Sequence, residues 1–205
     1  MKRFRLNREF SLPLPKPRAS QLPELQTGRL LLRPWRRSDD RDLFAYARDP
    51  QVGPAAGWPP HTSLADSRKV LERFITGDEP VYAIELLRTR TVIGSVGIHR
   101  DPRRSGEHAR MLGYVLSSEY WGQGLMPEAV NAVAASLFSQ PQIQVLSIYC
   151  YSTNPRSRRV ALKCGFQYEG TLRQGTKRFD GALLDDECYS LLREDYQRAK
   201  AAEAV

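Results

Sequence analysis

Two stretches of this chain carry residues whose types and spacing can do chemistry. The first is Trp121-Gly-Gln-Gly-Leu-Met126, which follows the β-rich run Ala109–Leu116 and precedes Pro127 at an expected helix start. Its two glycines leave several backbone N–H groups uncovered, and a helix behind them adds the positive end of its dipole. Such a turn is suited to a pyrophosphate. The third glycine of a dinucleotide fingerprint and the Lys-Ser/Thr of a P-loop are both missing, which argues against a Rossmann or NTPase site. The second stretch is Asn154-Pro-Arg-Ser-Arg-Arg-Val-Ala-Leu-Lys-Cys-Gly-Phe166. Pro155 suits the first position of a helix, so Asn154 is a natural N-cap. Ser157, Ala161 and Cys164 then share one side, and Asn154 and Ser157 can point at a ligand beside the preceding strand.

The elements that must position these residues are legible in outline. Arg29–Arg33 reads as a first strand stopped by Pro34, and Ser38 with Asp39 and Asp40 suits a helix start. Residues 50–60 form a loop rich in Gly, Pro and Ala that carries Trp58. Ser63 caps a second helix that ends at Gly77. Val81–Leu87 and Thr91–Ile98 are β-rich and joined by a tight polar turn. After a polar loop over 101–108 come strand Ala109–Leu116, helix Pro127–Phe138, strand Ile143–Tyr151 and helix Pro155–Cys164. Phe166–Leu172 and Ala182–Leu192 can close the chain as an antiparallel pair. This order predicts an α/β (α+β) fold with one mixed, mostly antiparallel sheet and helices on both faces.

Composition narrows the class. The 205 residues suffice for one sizeable core, no apolar run approaches the ~18 residues of a membrane span, and no signal-peptide core is evident. A cytoplasmic location is the default expectation, with no membrane partner. Cys150, Cys164 and Cys188 are odd in number and widely spaced, and His61, His99 and His108 do not stand at ligand spacing to them. Neither disulfides nor a metal site is expected. Of the formal charge of +8, residues 1–18 contribute +5, with six basic residues against Glu9 alone. The excess is therefore a basic arm, not a basic face, which argues against nucleic-acid binding. Four prolines in residues 1–25 make that arm extended. It could pack on a partner subunit in a homodimer. The expected organisation is an arm over 1–25, a domain over 26–197 and a tail over 198–205.

Taken together, these segments resemble the GNAT superfamily of acyl-CoA N-acyltransferases, and within it the Rim-type branch that acetylates N-termini of ribosomal proteins. Thr27-Gly-Arg-Leu-Leu-Leu-Arg-Pro34, Ile93-Gly-Ser-Val-Gly97 and Leu112-Gly-Tyr-Val-Leu…Tyr120-Trp-Gly-Gln-Gly…Glu128-Ala carry the likeness, which covers about residues 25–195. Trp121 stands where Arg or Gln often begins the glycine motif, and Met126 where a small residue is usual. The resemblance implies splayed central parallel strands, here Ala109–Leu116 and Ile143–Tyr151, with acetyl-CoA wedged between them. Backbone groups of Val115 and Leu116 would hold the pantetheine and acetyl carbonyl. Trp121, Gly122, Gln123, Gly124, Leu125 and Met126 would form the pyrophosphate turn. Asn154 would bond the pantetheine arm, and Arg159, with Arg158 or Lys163 as alternatives, would meet the nucleotide phosphate.

The implied reaction is direct attack of an amine on the thioester in a ternary complex. Many family members use a tyrosine acid seven residues after the Asn, where this chain has Ala161. The Rim-type branch has a serine three residues after it, so Ser157 is the acid candidate. Where many members carry a carboxylate base just before the Gly-Tyr, this chain has Arg110 and Met111. Glu85, Glu107 and His108 are the alternatives for that role. Trp35, Trp58, Tyr82 and Phe179 are candidates to line the acceptor pocket, with the 50–62 loop and the final hairpin. A weak base favours a peptide or protein N-terminal α-amine, the partner expected here. A small-molecule amine, such as an antibiotic or polyamine, is the same-fold alternative. A non-catalytic acyl-CoA-binding module is the alternative of another class.

Overall fold

The computed structural model describes residues 22–203. Its centre is an eight-stranded sheet of β1 (Leu25–Gln26), β2 (Leu30–Pro34), β3 (Val81–Leu86), β4 (Thr91–Arg100), β5 (Ala109–Leu116), β6 (Val145–Tyr151), β7 (Gln167–Lys177) and β8 (Leu183–Leu192). Their spatial order is β1-β2-β3-β4-β5-β6-β8-β7. Every pairing is antiparallel except β5 with β6.

β3 shows why this sheet is covered on both sides. Every residue from Val81 to Leu86 is buried. Because side chains alternate across a strand, Val81 and Ala83 face one layer and Tyr82, Ile84 and Leu86 the other. The first layer is α1 (Asp40–Ala47) and α2 (Leu64–Thr76), which bury Leu43, Tyr46, Ala47 and Leu71 against Trp35 and Val92. The second is α3 (Leu125–Phe138) and α4 (Pro155–Lys163), with Ala129, Val130, Val133, Leu137 and Ala161 on the main core. Ser63 caps α2 by accepting from the Asp66 N–H, and Asp66 returns the bond to Ser63. The expected Ser63 cap is thus completed as a reciprocal capping box.

The boundaries differ from the sequence expectation at informative places. Helix α3 starts at Leu125, not at Pro127. Gly124 takes a left-handed conformation (φ +75°), so the helix begins directly after it. Pro127 falls inside the first turn, where its missing N–H leaves no bond unmade. β7 runs to Lys177, past the expected end at Leu172, by absorbing two register shifts against β8. Leu22 is buried and Leu25 opens β1, so the end of the expected arm belongs to the fold. Residues 1–21, which hold its charge, lie outside the described residues. Helix α5 (Arg193–Glu203) lies where no element is expected and continues through residues assigned to a tail. Tyr196 anchors it, with its ring 5.0 Å from that of Phe138.

Candidate active site

A gap between two parallel strands organises the site. β5 and β6 pair only from Ala109–Met111 to Val145–Ser147. Beyond that point β5 stays with β4, up to Leu116 opposite Gly94, while β6 follows β8, up to Tyr151 opposite Asp186. The strands splay, and a cavity of about 1080 Å³ fills the space between them. Its wall includes the start of α3 and one side of α4, and also Leu43, Tyr46, Val70 and Phe74 of α1 and α2. Its wall therefore draws on the helices of both sheet faces.

The glycine turn forms the edge of this cavity on the α3 side. Gly122 (φ +78°) and Gly124 (φ +75°) both need the left-handed region, and a β-carbon at Gly122 would stand in open space. Among the described residues, no acceptor meets the N–H groups of Gly122 through Met126. A surface tether fixes their direction. Arg29 donates from Nη1 to the Gln123 carbonyl at 2.9 Å and from Nε to Glu128 Oε2 at 2.7 Å. Thr27 adds its hydroxyl to Glu128 Oε1 at 2.6 Å. Burial alone would raise the Glu128 pKa, but the bonds from Thr27 and Arg29 outweigh it and hold the carboxyl below its ordinary range. The turn thus presents donors, with its acidic neighbour neutralised. Met126 turns its side chain into the main core, so its bulk lies away from the turn. Trp121 donates its indole N–H to the Leu116 carbonyl at 2.9 Å, and the Arg156 guanidinium sits 4.0 Å over its ring.

Facing this turn, α4 begins at Asn154. Its side chain accepts from the Ser157 N–H at 3.2 Å and donates to the Ala55 carbonyl at 3.2 Å. The Ser157 hydroxyl lies 2.9 Å from that of Tyr114, which also donates to the Ser157 carbonyl at 3.1 Å. Burial, partly offset by the Ser157 bond, pushes the Tyr114 phenol up, so it stays protonated. Tyr114 has a single hydroxyl proton for the Ser157 carbonyl and hydroxyl, and either oxygen can be the donor between the two hydroxyls. Cys150 lines the cavity beside them, and burial pushes its thiol up to about 11.

A family model described as an acetyltransferase (GNAT) domain matches residues 29–167. The chain belongs to the GNAT acetyltransferase family. It is 28% identical over 176 residues to the uncharacterized N-acetyltransferase YoaA of Bacillus subtilis (strain 168), covering 83% of this chain and 97% of that one. It is also 28% identical over 121 residues to the ribosomal-protein-serine acetyltransferase of Escherichia coli (strain K12), covering 57% of this chain and 66% of that protein. Among solved structures, a GNAT-family acetyltransferase from Bacillus anthracis superposes with a TM-score of 0.75 at 22% identity. That match covers 84% of this chain and 99% of the other. The protein is accordingly an acetyl-CoA-dependent N-acetyltransferase acting on an amine.

Within this GNAT frame the expected site residues divide. Val115, Leu116, Trp121, Gly122, Gly124, Leu125, Met126, Asn154, Ser157 and Arg159 all line the cavity. Gln123 is exposed on the turn and contributes its backbone. Arg156, Arg159 and Lys163 line the cavity from one side of α4. Arg158 instead turns to β8, where it pairs with Glu187 and donates to the Ser152 carbonyl.

None of the expected base alternatives reaches the cavity. Glu85 is buried with Arg33 and Arg90, Glu107 pairs with Arg110 in an exposed loop, and His108 is exposed on that loop. Of the four aromatic candidates only Trp58 lines the cavity. Tyr82 is a core residue because alternation on β3 turns it into the main core, and Trp35, just past the end of β2, packs in the α1–α2 layer. Phe179 is exposed at the tip of the β7–β8 hairpin. Tyr114, His61 and His99 are cavity residues that spacing alone does not single out. No helix among the described residues is long and apolar enough to cross a membrane. No group of three or more potential metal ligands occurs among them either.

Proposed function

We propose that this GNAT acetylates the α-amine of a peptide or protein N-terminus by direct attack in a ternary complex. The observation that carries this reading is the acceptor wall. Arg110 and Met111, ahead of the Gly-Tyr on β5, supply no carboxylate, and the cavity's carboxylate, Asp186, is taken up by Arg103 at 3.1 Å and Thr176 at 2.9 Å. With no free carboxylate among the described residues of that wall, an acceptor that is partly neutral already is favoured. At pH 7 roughly a tenth of an α-amine is neutral, against well under a thousandth of a lysine. The relative from E. coli, whose name assigns it ribosomal-protein serine acetylation, agrees in substrate class.

Acetyl-CoA supplies the activated acetyl thioester. The N–H groups of Gly122–Met126 would hold its pyrophosphate, with Arg156, Arg159 and Lys163 at hand for further phosphate. Val115 and Leu116 form the strand edge beside the pantetheine. The Asn154 amide, committed to Ser157 and Ala55, shapes that passage more than it binds. Ser157, backed by Tyr114, would hydrogen-bond the sulfur as charge develops on it. The test is an acetyl-CoA thermal shift followed by turnover with matched peptides that offer only an α-amine or only a lysine, and with a polyamine. The highest kcat/KM belongs to the free α-amine. A clear preference for lysine or the polyamine overturns the reading.

A further inference from the structure

The acceptor side of the cavity holds an imidazole to which the reading above gives no work. His99 lies on β4, where its backbone is paired with Met111 of β5. It shares a sheet face with Gly97 and Gly113. Nε2 lies 2.4 Å from where a β-carbon at Gly97 would be and 3.3 Å from one at Gly113. The ring therefore occupies space that only glycines leave open, at the point where β5 and β6 part. Gly97, His99, Met111 and Gly113 all line the cavity.

The other ring nitrogen is committed. Nδ1 lies 2.7 Å from Glu79 Oε2. An ionised carboxylate only accepts, so Nδ1 carries the proton and the neutral ring keeps its lone pair on Nε2, over the cavity-lining Gly97 and Gly113. Of Arg110 and Met111, which stand where many family members carry a carboxylate, Met111 is directly across the ladder. The other charged or titratable groups facing this space are Tyr46 of α1, His61 from the loop before α2, Arg73 of α2, Arg103 from the loop after β4, Tyr149 and Tyr151 of β6, and Asp186 of β8. Arg103 and Asp186 bind each other. His61 is bonded to Ser67, and burial, reinforced by Arg73, lowers its basicity.

We propose that His99, oriented by Glu79, is the base that accepts the proton of the acceptor ammonium. An ammonium N–H bond breaks, the proton passes to Nε2, and the electron pair stays on nitrogen. That nitrogen forms the new C–N bond as the C–S bond breaks, and the N-protonated amide so formed gives its second proton to solvent. The departing thiolate takes a proton from solvent through the Ser157 hydroxyl, and His99 returns its own proton to solvent. Glu79 does not touch the reactants and is a positioning residue. The assignment rests on acetyl transfer to an amine, whichever amine it is.

The test compares pH profiles of kcat/KM for the wild type, His99→Gln, His99→Ala and Glu79→Gln, using the amine that the wild type turns over best. His99→Gln falls by about 10²-fold near neutrality with acetyl-CoA affinity unchanged, and its acid limb follows the amine alone. Added imidazole restores part of the rate in His99→Ala. Side-chain nitrogen NMR of the wild type shows the Nδ1–H tautomer at His99, and Glu79→Gln shifts that population and lowers kcat more than it changes KM. Retention of the wild-type rate and acid limb by His99→Gln overturns the proposal, as does an Nε2–H tautomer in the wild type. Should His99→Gln not fold, the tautomer and the Glu79→Gln profile decide. Failure of the α-amine reading shows separately, as the wild type's preference among amines.

Discussion

Arg29 and Glu128 stand 99 residues apart and form the joint that holds the glycine turn. The Arg29 Nη2–Glu128 Oε2 distance is 2.6 Å, and the same guanidinium holds the Gln123 carbonyl. One side chain thus neutralises the acid in the first turn of α3 and pulls a carbonyl away from the donors. Replacing Arg29 by alanine releases both. We expect a roughly five-fold weaker acetyl-CoA Kd, the scale of one unneutralised charge at a helix N-terminus. Glu128→Gln in that background recovers part of the loss, as calorimetry can measure. The pH sign follows from the depressed Glu128 pKa. Its contribution to stability is complete above the unfolded carboxyl value and is lost as pH falls through the lower folded value. Arg29→Ala therefore shifts acid unfolding of this region to higher pH.

Gly124 makes a sharper test of the same turn. Its left-handed φ costs an L-residue roughly 1–2 kcal/mol, and an added β-carbon would lie 3.7 Å from Arg29 Nη2. Gly124→Ala should lose about that much stability in urea. Its acetyl-CoA affinity should fall further than that of Ala substitutions at exposed sites on α5. Equal affinities would mean that the turn's conformation is not what binds.

Glu85 separates structure from chemistry. Arg33 donates to both Asp39 oxygens at 2.8 and 2.9 Å and to Glu85 Oε2 at 2.6 Å, with all three side chains buried. Arg90 lies 2.8 Å from the other Glu85 oxygen. Removing one partner of a buried pair strands the other, at about 3–5 kcal/mol. Arg33→Met should show a loss of that order in chemical denaturation. Glu85→Gln should lower stability as well while leaving the pH profile of kcat/KM intact. A lost acid limb in Glu85→Gln would return Glu85 to the list of bases.

What the sequence discloses and what it hides follows from the range of the interaction. The glycine turn, the Asn154 cap and the Ser63 cap are local devices written in consecutive residues, and they are found where expected. The splay of β5 from β6 came through resemblance, since no spacing encodes where two strands stop pairing. His99 and Met111 are neighbours only once β4 and β5 are in register, and Tyr114 meets Ser157 across 43 residues. Arg158 illustrates the converse. Its place in a basic helix suggests a phosphate, but a partner on β8, Glu187, takes it.

Ser157 and Tyr114 should differ in how they fail. Ser157→Ala removes the hydroxyl nearest the expected sulfur and should lower kcat by roughly 10- to 100-fold with KM for acetyl-CoA little changed. Tyr114→Phe keeps Ser157 but removes its hydroxyl partner. Its loss should be smaller, and the double variant should fall short of the product of the two, because the residues act as one unit. Full multiplicativity would show that the 2.9 Å contact is not used in turnover.

Cys150 reports on the cavity through its pH dependence. It lines the gap beside Ser157, whereas Cys188 on β8 does not line it. Burial lifts the Cys150 thiol to about 11, and the thiolate is the form that alkylates. Iodoacetamide labelling of Cys150, followed by mass spectrometry, should therefore be slow at pH 7–8 and climb about ten-fold per pH unit up to that value. Acetyl-CoA should protect Cys150 and spare Cys188 any change. Fast labelling at pH 7, or equal protection of both thiols, would place the cofactor elsewhere than between β5 and β6.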